Sequence, residues 1–182
     1  NTCTASVTVP VVADTNIVVA VANAPDTLNC VLHTTTLNTI GSSNGPALTY
    51  AWTTPDGNIS GGGNTPNPTV DKPGTYQLLL TNTANGCSAT DLAVVEENLA
   101  APNVQLDPPA QLTCAHPTQI IQGQNLSLPG SFSYFWVVAP GANIVSGDST
   151  LHPVVNAPGL YVLTTTNLST GCIDTDSVTV SL

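Results

Sequence analysis

The stretch "DKPGTYQLLLTNTANGC" (residues 71–87) recurs as "NAPGLYVLTTTNLSTGC" (residues 156–172), 85 positions later. In each copy a Pro-Gly turn precedes a segment in which apolar residues alternate, as Tyr76, Leu78 and Leu80 do. Alternation with a period of two places these side chains on one face of a β-strand. The Asn, Thr and Gly residues that follow predict a hairpin turn into a last strand that begins at a cysteine.

The repeat continues outward on the N-terminal side of this stretch. The pairs Tyr50 and Tyr134, and Trp52 and Trp136, are each separated by 84 residues, as are the two first cysteines of the repeats. The tyrosine and tryptophan lie in "LTYAWTT" and "FSYFWVV", which we predict to be central strands, and no window shows useful helical periodicity. A period above 80 residues indicates whole domains. With about seven short strands in each, an all-β chain of two tandem β-sandwiches is predicted.

The repeat also predicts the domain boundaries. We expect residues 15–99 and 100–182 to form the two sandwiches, with residues 17–22 and 103–106 as their first strands. The opening "NTC" matches the start of the last strand in both repeats, so residues 1–14 are expected to be the closing strand of another module. Either that strand is donated to an identical neighbour, or it belongs to a longer head-to-tail array in which Cys3 pairs upstream. We favour the array, because both repeats already own a closing strand, and we expect a linear assembly.

The composition excludes two classes of partner. The chain has one Lys or Arg against 11 Asp and Glu, and a net charge of −10. Nucleic acids and anionic membranes both require basic residues, so neither is an expected partner. No stretch approaches the length of a membrane span, and the dispersed acidic residues predict a solvated surface.

The motifs "WTTPDG", "PGTY" and "NGC", with their counterparts in the second repeat, resemble the PKD-like or Ig-like repeats of Bacteroidota surface and gliding-motility adhesins. The resemblance covers nearly the whole chain, although Val137 and Val138 replace Thr53 and Thr54 in the second repeat. It implies immunoglobulin-like sandwiches in a secreted, multi-domain protein of the bacterial cell surface. In such proteins the modules act as spacers or adhesive units.

Four cysteines are predicted to form one internal disulfide in each sandwich, Cys30 with Cys87 and Cys114 with Cys172. Metal or redox chemistry is the alternative, but no Cys-x-x-Cys motif and no His-rich or Cys-rich cluster accompanies them. Disulfides agree with the extracellular location that the low charge and abundant Thr and Asn suggest. Each would stabilise its module by about 4 kcal/mol.

The aromatic residues allow two interpretations. Trp52 and Trp136 could stack on sugars, but their position within alternating strands favours the core. Tyr76 and Tyr161 are interpreted as tyrosine-corner residues that bond to the backbone near the Pro-Gly turns.

Catalysis is not predicted. His33, His116 and His152 occupy non-equivalent repeat positions without a nucleophile motif. Asp174 and Asp176 alternate along one strand and lack the partner motif of a glycosidase. We therefore expect a protein that is not an enzyme and has no cofactor, apart from the ion considered next.

A calcium ion is a minor hypothesis at Glu96, Glu97 and Asn98, where one repeat passes into the next. Adjacent glutamates more often only solvate a linker. Short motifs also predict modification sites, N-x-S/T at Asn58, Asn125 and Asn167, and a D-S/T-apolar O-glycosylation signal at Thr27 and Ser177.

The sequence thus favours a non-catalytic structural or adhesive module of an extracellular bacterial stalk, fibre or filament. Its expected partners are like modules arranged head to tail, with glycans or a surface as further candidates. Two alternatives remain open. One is a carbohydrate-binding module that uses residues 61–63 or an exposed tryptophan, and the other is a pair of spacer domains attached to a secreted enzyme.

Overall fold

The computed structural model describes residues 3–10, 17–127 and 129–182. The chain divides into two compact units: unit 1 comprises Asn1–Asp26 and Thr34–Val95, and unit 2 comprises Thr27–His33 and Glu96–Leu182. The described residues form strands, turns and irregular segments but no helix, which confirms the all-β prediction. None of them therefore belongs to a helix long and apolar enough to cross a membrane.

The strands are short, as the frequent turn-forming residues predict. In chain order they are β1 (Leu28–Asn29), β2 (Thr35–Thr36), β3 (Leu48–Thr53), β4 (Ile59–Gly61), β5 (Thr69–Val70), β6 (Gly74–Asn82), β7 (Ser88–Val95), β8 (Glu97–Asn98), β9 (Val104–Asp107), β10 (Gln119–Ile120), β11 (Gln122–Asn125), β12 (Phe132–Val138), β13 (Ile144–Ser146), β14 (Val154–Val155), β15 (Gly159–Asn167) and β16 (Ile173–Val180).

Unit 1 contains two antiparallel three-stranded sheets, with the orders β2-β5-β4 and β3-β6-β7. These are the B-E-D and C-F-G orders of an immunoglobulin-like sandwich. Strand β6 lies at the centre of the second sheet, and its Tyr76, Leu78 and Leu80 are fully buried while Leu79 is 40% exposed. The predicted alternation of this strand is confirmed, and it fixes which face of the sheet lines the core.

Unit 2 repeats this arrangement and adds a first strand. Its sheets have the orders β10-β14-β13 and β12-β15-β16, and β9 pairs with β11, which follows β10 after one residue. Strand β9 therefore extends the first sheet to the A-B-E-D order. The core takes side chains from both sheets, which is the defining property of a sandwich. The buried cluster consists of Val104, Leu112, Ile121, Trp136, Val155, Tyr161, Leu163, Val178 and Val180.

The first strand predicted for the first repeat is only partly formed. Residues 17–22 make no regular ladder, although residues 103–106 fall largely within β9 as predicted. Val19 accepts a hydrogen bond from the Ser43 N–H at 2.8 Å, and Val21 accepts one from the Ser42 hydroxyl at 3.0 Å. Serine side chains thus replace some of the backbone partners that a regular strand would use, because a hydroxyl can both donate and accept.

One polar residue interrupts the buried face of β15. Thr165 is fully buried, and its hydroxyl has no hydrogen-bond partner. The same position of unit 1 is occupied by Leu80, also fully buried. The interior of the sandwich therefore accepts an apolar side chain here, and the threonine hydroxyl is buried at an energetic cost.

Candidate functional site

The tyrosine predicted to form a corner in unit 1 does so. The Tyr76 hydroxyl donates to the carbonyl of Lys72 at 2.6 Å and accepts from the N–H of Asn58 at 3.0 Å. Gly57 has no side chain at the point where the phenol approaches, and a Cβ there would collide with the hydroxyl. Burial raises the pKa of Tyr76 above its ordinary value of 10.0, the nearby Asp71 carboxylate adding to this, while the hydrogen bond from Asn58 lowers it.

The second corner repeats the first. The Tyr161 hydroxyl donates to the carbonyl of Ala157 at 2.7 Å and accepts from the N–H of Asn143 at 3.0 Å. Each tyrosine bonds to the carbonyl four residues before it, in the Pro-Gly turn, as the sequence predicted. These residues close a turn in each unit and are not available to a ligand.

Both tryptophans belong to the cores. Trp52 is 5% exposed and Trp136 is 7% exposed, and their indole N–H groups donate to the carbonyls of Thr65 and Thr150 at 3.1 and 2.8 Å. An indole that stacks on a sugar must present its face to solvent, and neither does. The core interpretation is confirmed, and the carbohydrate hypothesis keeps only residues 61–63 of the two features on which it was based.

The disulfide pairing differs from the prediction. Cys30 is bonded to Cys172, with their Cα atoms 5.0 Å apart, and both residues belong to unit 2. The segment Thr27–His33 is held there because β1 runs parallel to β8, and the Leu28 N–H donates to the carbonyl of Glu96 at 2.9 Å. Neither predicted bond, Cys30 with Cys87 or Cys114 with Cys172, is present.

A geometric reason excludes the second predicted bond. The N–H of Leu112 donates to the carbonyl of Ser181 at 2.9 Å, which places the neighbouring Cys114 near the C-terminal end of β16. Cys172 lies just before the other end of that strand. Nine extended residues span about 30 Å, far beyond the reach of a disulfide. The observed bond closes a loop with a sequence separation of 142, for which chain entropy gives a stabilisation of about 5 kcal/mol.

Three cysteines are not bonded. Cys3 and Cys114 are exposed, and Cys87 is half-buried in unit 1. Residues 3–10 are all exposed and form no strand pairing, with Val7 and Val9 at 86% and 77% exposure. The rest of the predicted closing strand, residues 1–2 and 11–14, lies outside the described residues. That residues 1–14 complete another module therefore stays a prediction.

The predicted calcium ligands lie on and beside a short strand. Glu97 and Asn98 form β8 and are exposed, and the Asn98 side-chain oxygen accepts from the N–H of Ala100 at 3.1 Å. The main-chain carbonyl of Glu96 accepts from β1. Across residues 3–10, 17–127 and 129–182, no group of three or more His, Cys, Asp or Glu side chains lies together. The calcium site stays a prediction, and the side chains gathered here supply only two carboxylates.

The predicted modification sites lie in different surroundings. The Asn58 amide donates to the Asp71 carboxylate at 2.7 Å, and the Asn167 amide donates to the carbonyl of Ala100 at 3.0 Å. The Asn125 side-chain oxygen accepts from the N–H of the serine two residues later at 3.1 Å. Thr27 and Ser177 are exposed. All five remain predictions, and for two of the asparagines the nitrogen that a glycan would take already has a hydrogen-bond partner.

Three aspartates have a role that the sequence analysis missed. The Asp91 carboxylate accepts from the N–H of Ala22 at 2.8 Å in unit 1. In unit 2, Asp174 and Asp176 accept from the N–H groups of Val104 and Leu106, each at 2.8 Å. These carboxylates take the place of backbone acceptors beside the first strand of each sandwich. The recurrence of Asp91 as Asp176, 85 residues apart, marks the position in the sequence but does not say what the carboxylate contacts.

The three histidines lie in different surroundings. His152 accepts from the N–H of Gly123 at 3.4 Å, the main chain of His116 forms a turn with Thr113, and His33 is exposed. The two aspartates weighed as a glycosidase pair bond to backbone N–H groups.

No protein-family model and no curated protein matches the chain. Among solved structures it is similar to the three N-terminal domains of the bacteriophage RB49 Highly Immunogenic Outer Capsid protein (Hoc), at 17% identity and TM-score 0.47, covering 91% of this chain and 59% of that one. It is also similar to the N-terminal eight Ig domains of Down Syndrome Cell Adhesion Molecule, at 12% identity and TM-score 0.48, covering 88% and 27% of the chains. The human Desmocollin-1 ectodomain is similar at 13% identity and TM-score 0.33, covering 87% of this chain and 34% of that one.

These similar structures are multi-domain proteins, among them an adhesion molecule and an ectodomain. This chain spans 59%, 27% and 34% of their respective lengths. The immunoglobulin-like assignment rests on the strand orders, on the core to which both sheets contribute side chains, and on the tyrosine corners described above.

Proposed function

We propose that the chain is a non-catalytic structural or adhesive repeat module of an extracellular bacterial surface stalk, fibre or filament. The observation that carries this proposal is the duplicated construction. Both units have the same C-F-G sheet, the same buried tryptophan and the same tyrosine corner. The two tryptophans, the two corner tyrosines and the three aspartates beside the first strands are used for folding, which supports a role as a scaffold.

The partners in this proposal are further modules of the same kind, arranged head to tail. Support comes from residues 3–10, which are exposed and carry apolar residues at alternate positions. This is the pattern of a strand that could pair with the edge of a sheet in another module. In such a contact the strand of one copy meets a different surface of the next copy. The contact is heterologous, and where its rotation does not close a ring it builds an open chain of copies.

The test is assembly of the complete chain. Sedimentation velocity over a hundredfold range of concentration, with negative-stain electron microscopy, should find linear species of increasing length. A variant with charges on the exposed alternating positions, Val7→Glu with Val9→Glu, should shorten them. As a matched control, Leu168→Glu places charge at a residue 61% exposed on a turn. A strictly monomeric chain at every concentration would contradict the proposal.

One observation favours carbohydrate binding as the second candidate. Phe135 is 65% exposed on the outer face of β12, beside Val137 at 52%. Strands β12, β15 and β16 carry no charged side chain on this outer face. An uncharged face with an exposed ring can stack on a sugar. Glycan-array binding by the complete chain that Phe135→Ser removes and Leu168→Ser leaves intact would favour this candidate.

A further inference from the structure

The bonded cysteines have unbonded equivalents in the repeat. Cys114 lies 84 residues after Cys30, and Cys87 lies 85 residues before Cys172. The bond between Cys30 and Cys172 therefore joins a cysteine of the first repeat to one of the second. If this pairing recurs, Cys114 would bond to the cysteine of a following module that is equivalent to Cys87 and Cys172.

Cys30 and Cys114 are presented by the same kind of turn. The N–H of Asn29 donates to the carbonyl three residues later at 2.9 Å, and the N–H of Thr113 does the same at 3.1 Å. Each turn is also held by a side-chain oxygen, since Asn29 and Thr113 accept from the N–H three residues later at 2.8 and 3.0 Å. The segment of residues 111–117 thus already has the local form of Thr27–His33, and its cysteine is exposed.

The other two cysteines close matching hairpin turns, which we call the cysteine turns, residues 82–87 of unit 1 and 167–172 of unit 2. In both, the Asn N–H donates to the Cys carbonyl and the Gly N–H donates to the Asn carbonyl, all at 2.8 Å. Gly86 and Gly171 have φ values of 75° and 69°, in the left-handed region that favours glycine. The two turns therefore present their cysteines in the same way.

The two cysteine turns differ in what covers them. In unit 2 the side chain of Val31 lies against Gly171, and Cys172 is only 2% exposed. In unit 1 no residue that the structure describes lies within 4 Å of a Cβ built on Gly86, and Cys87 is half-buried. The segment Thr27–His33 thus covers the cysteine turn of unit 2, whereas in the turn of unit 1 Thr83, Ala84 and Gly86 are exposed.

We propose that residues 111–117 of one chain cover the cysteine turn of unit 1 in a second copy, and that Cys114 forms a disulfide with the Cys87 of that copy. This inference rests on the proposed head-to-tail array and supplies its covalent link. Cys114 and the cysteine turn of unit 2 lie at opposite ends of β16, about 30 Å apart for nine extended residues. A contact between such unlike surfaces is heterologous, so it leaves each copy with a free surface that can join a further copy.

Cys87 is the partner in preference to Cys3. Both precede a last-strand pattern, but the residue before Cys3 is Thr2, where the two cysteine turns have glycine at positive φ. Cys3 therefore lacks the residue that the turn conformation requires.

The bond requires an oxidant, for which we name a small-molecule disulfide such as glutathione disulfide. The Cys114 thiolate attacks one sulfur of glutathione disulfide, forming a mixed disulfide and releasing one glutathione thiolate. The Cys87 thiolate of the second copy then attacks the Cys114 sulfur and releases the second thiolate. Two protein thiols lose two electrons, glutathione disulfide gains them, and the two thiol protons end on the released glutathione.

The experiment uses the complete chain in a glutathione redox buffer, analysed on non-reducing gels and by intact mass. In a Cys3→Ser background we expect a ladder of monomer, dimer, trimer and longer species. Adding Cys87→Ser or Cys114→Ser should each abolish the ladder. A one-to-one mixture of these two variants should yield a covalent dimer and nothing longer. Mass analysis of chymotryptic peptides should find Cys114 joined to Cys87.

Several results would overturn the inference. These are a ladder that requires Cys3, a mixture of the variants that yields no dimer, or a wild-type product that stops at a closed dimer. Linear species seen by sedimentation without any cross-link would overturn the disulfide but leave the proposed function standing. A chain that neither cross-links nor assembles would overturn both.

Discussion

The tyrosine corner of unit 1 permits a quantitative test. In Tyr76→Phe the ring is kept, but the hydroxyl that bonds to Lys72 and Asn58 is lost. One neutral hydrogen bond is worth about 1 kcal/mol, and a buried N–H left without an acceptor costs about 1 to 2 kcal/mol more. We therefore expect the free energy of unfolding of unit 1 to fall by about 2 to 3 kcal/mol.

The assay is urea denaturation followed by the fluorescence of Trp52 in a Trp136→Phe background, so that only unit 1 is observed. Tyr50→Phe is the matched control, since the part of the chain that the structure describes offers the Tyr50 hydroxyl no hydrogen bond. It should change the free energy of unfolding by less than about 0.5 kcal/mol.

The pH dependence gives a second readout of the same hydroxyl. Burial raises the pKa of Tyr76 in the folded state above 10.0, so the folded state holds this proton more tightly than the unfolded state does. The contribution to stability is therefore complete below pH 10 and is lost as the pH rises through the folded-state pKa. Tyr76→Phe should flatten the decline of stability above pH 10. A cost below about 0.5 kcal/mol together with an unchanged decline would refute the reasoning.

Three further substitutions test individual features. Thr165→Val removes a buried hydroxyl without a partner, so the urea midpoint of unit 2 should rise by an amount equivalent to about 1 kcal/mol, and a fall would contradict this interpretation. Gly171→Ala should lower the free energy of unfolding by about 1 to 3 kcal/mol, which is more than Gly86→Ala should. Both glycines have positive φ, but the Val31 side chain lies against Gly171 and no described residue lies against Gly86. Equal thermal shifts for the two variants would count against the contact with Val31. Asp91→Ala should cost unit 1 about 1 kcal/mol by leaving the N–H of Ala22 without its charged acceptor, and should expose that amide to hydrogen exchange.

The elements that the sequence predicted well are set by local chemistry. The alternation of Tyr76, Leu78 and Leu80 and the Pro-Gly turn before them need only their neighbours to define a strand and its buried face. The burial of the two tryptophans was predicted on the same grounds, because a large apolar residue in an alternating strand is buried with the other apolar residues of its face. These features repeat, so each was in effect observed twice.

The features that the sequence did not predict depend on residues distant along the chain. Asp91 bonds to Ala22, 69 residues away, in place of a backbone ladder, and serine side chains do the same for residues 17–22. A single sequence does not reveal such exchanges, because a side-chain acceptor leaves no periodic pattern. The recurrence of Asp91 as Asp176 shows only that the position matters, not what it contacts.

The sequence repeat limits which cysteines can form a disulfide, but it does not identify the bonded pair. A period makes Cys30 equivalent to Cys114, and Cys87 equivalent to Cys172, and pairing within each repeat satisfies that symmetry as well as pairing between successive repeats does. Only the position of the segment Thr27–His33 in unit 2 decides between them. Once a cysteine of one repeat bonds to the next repeat, two successive repeats hold one cysteine of each type that has no partner within those two repeats. Cys114 and Cys87 are those two, so the same rule that explains the one disulfide present also accounts for two of the three free thiols.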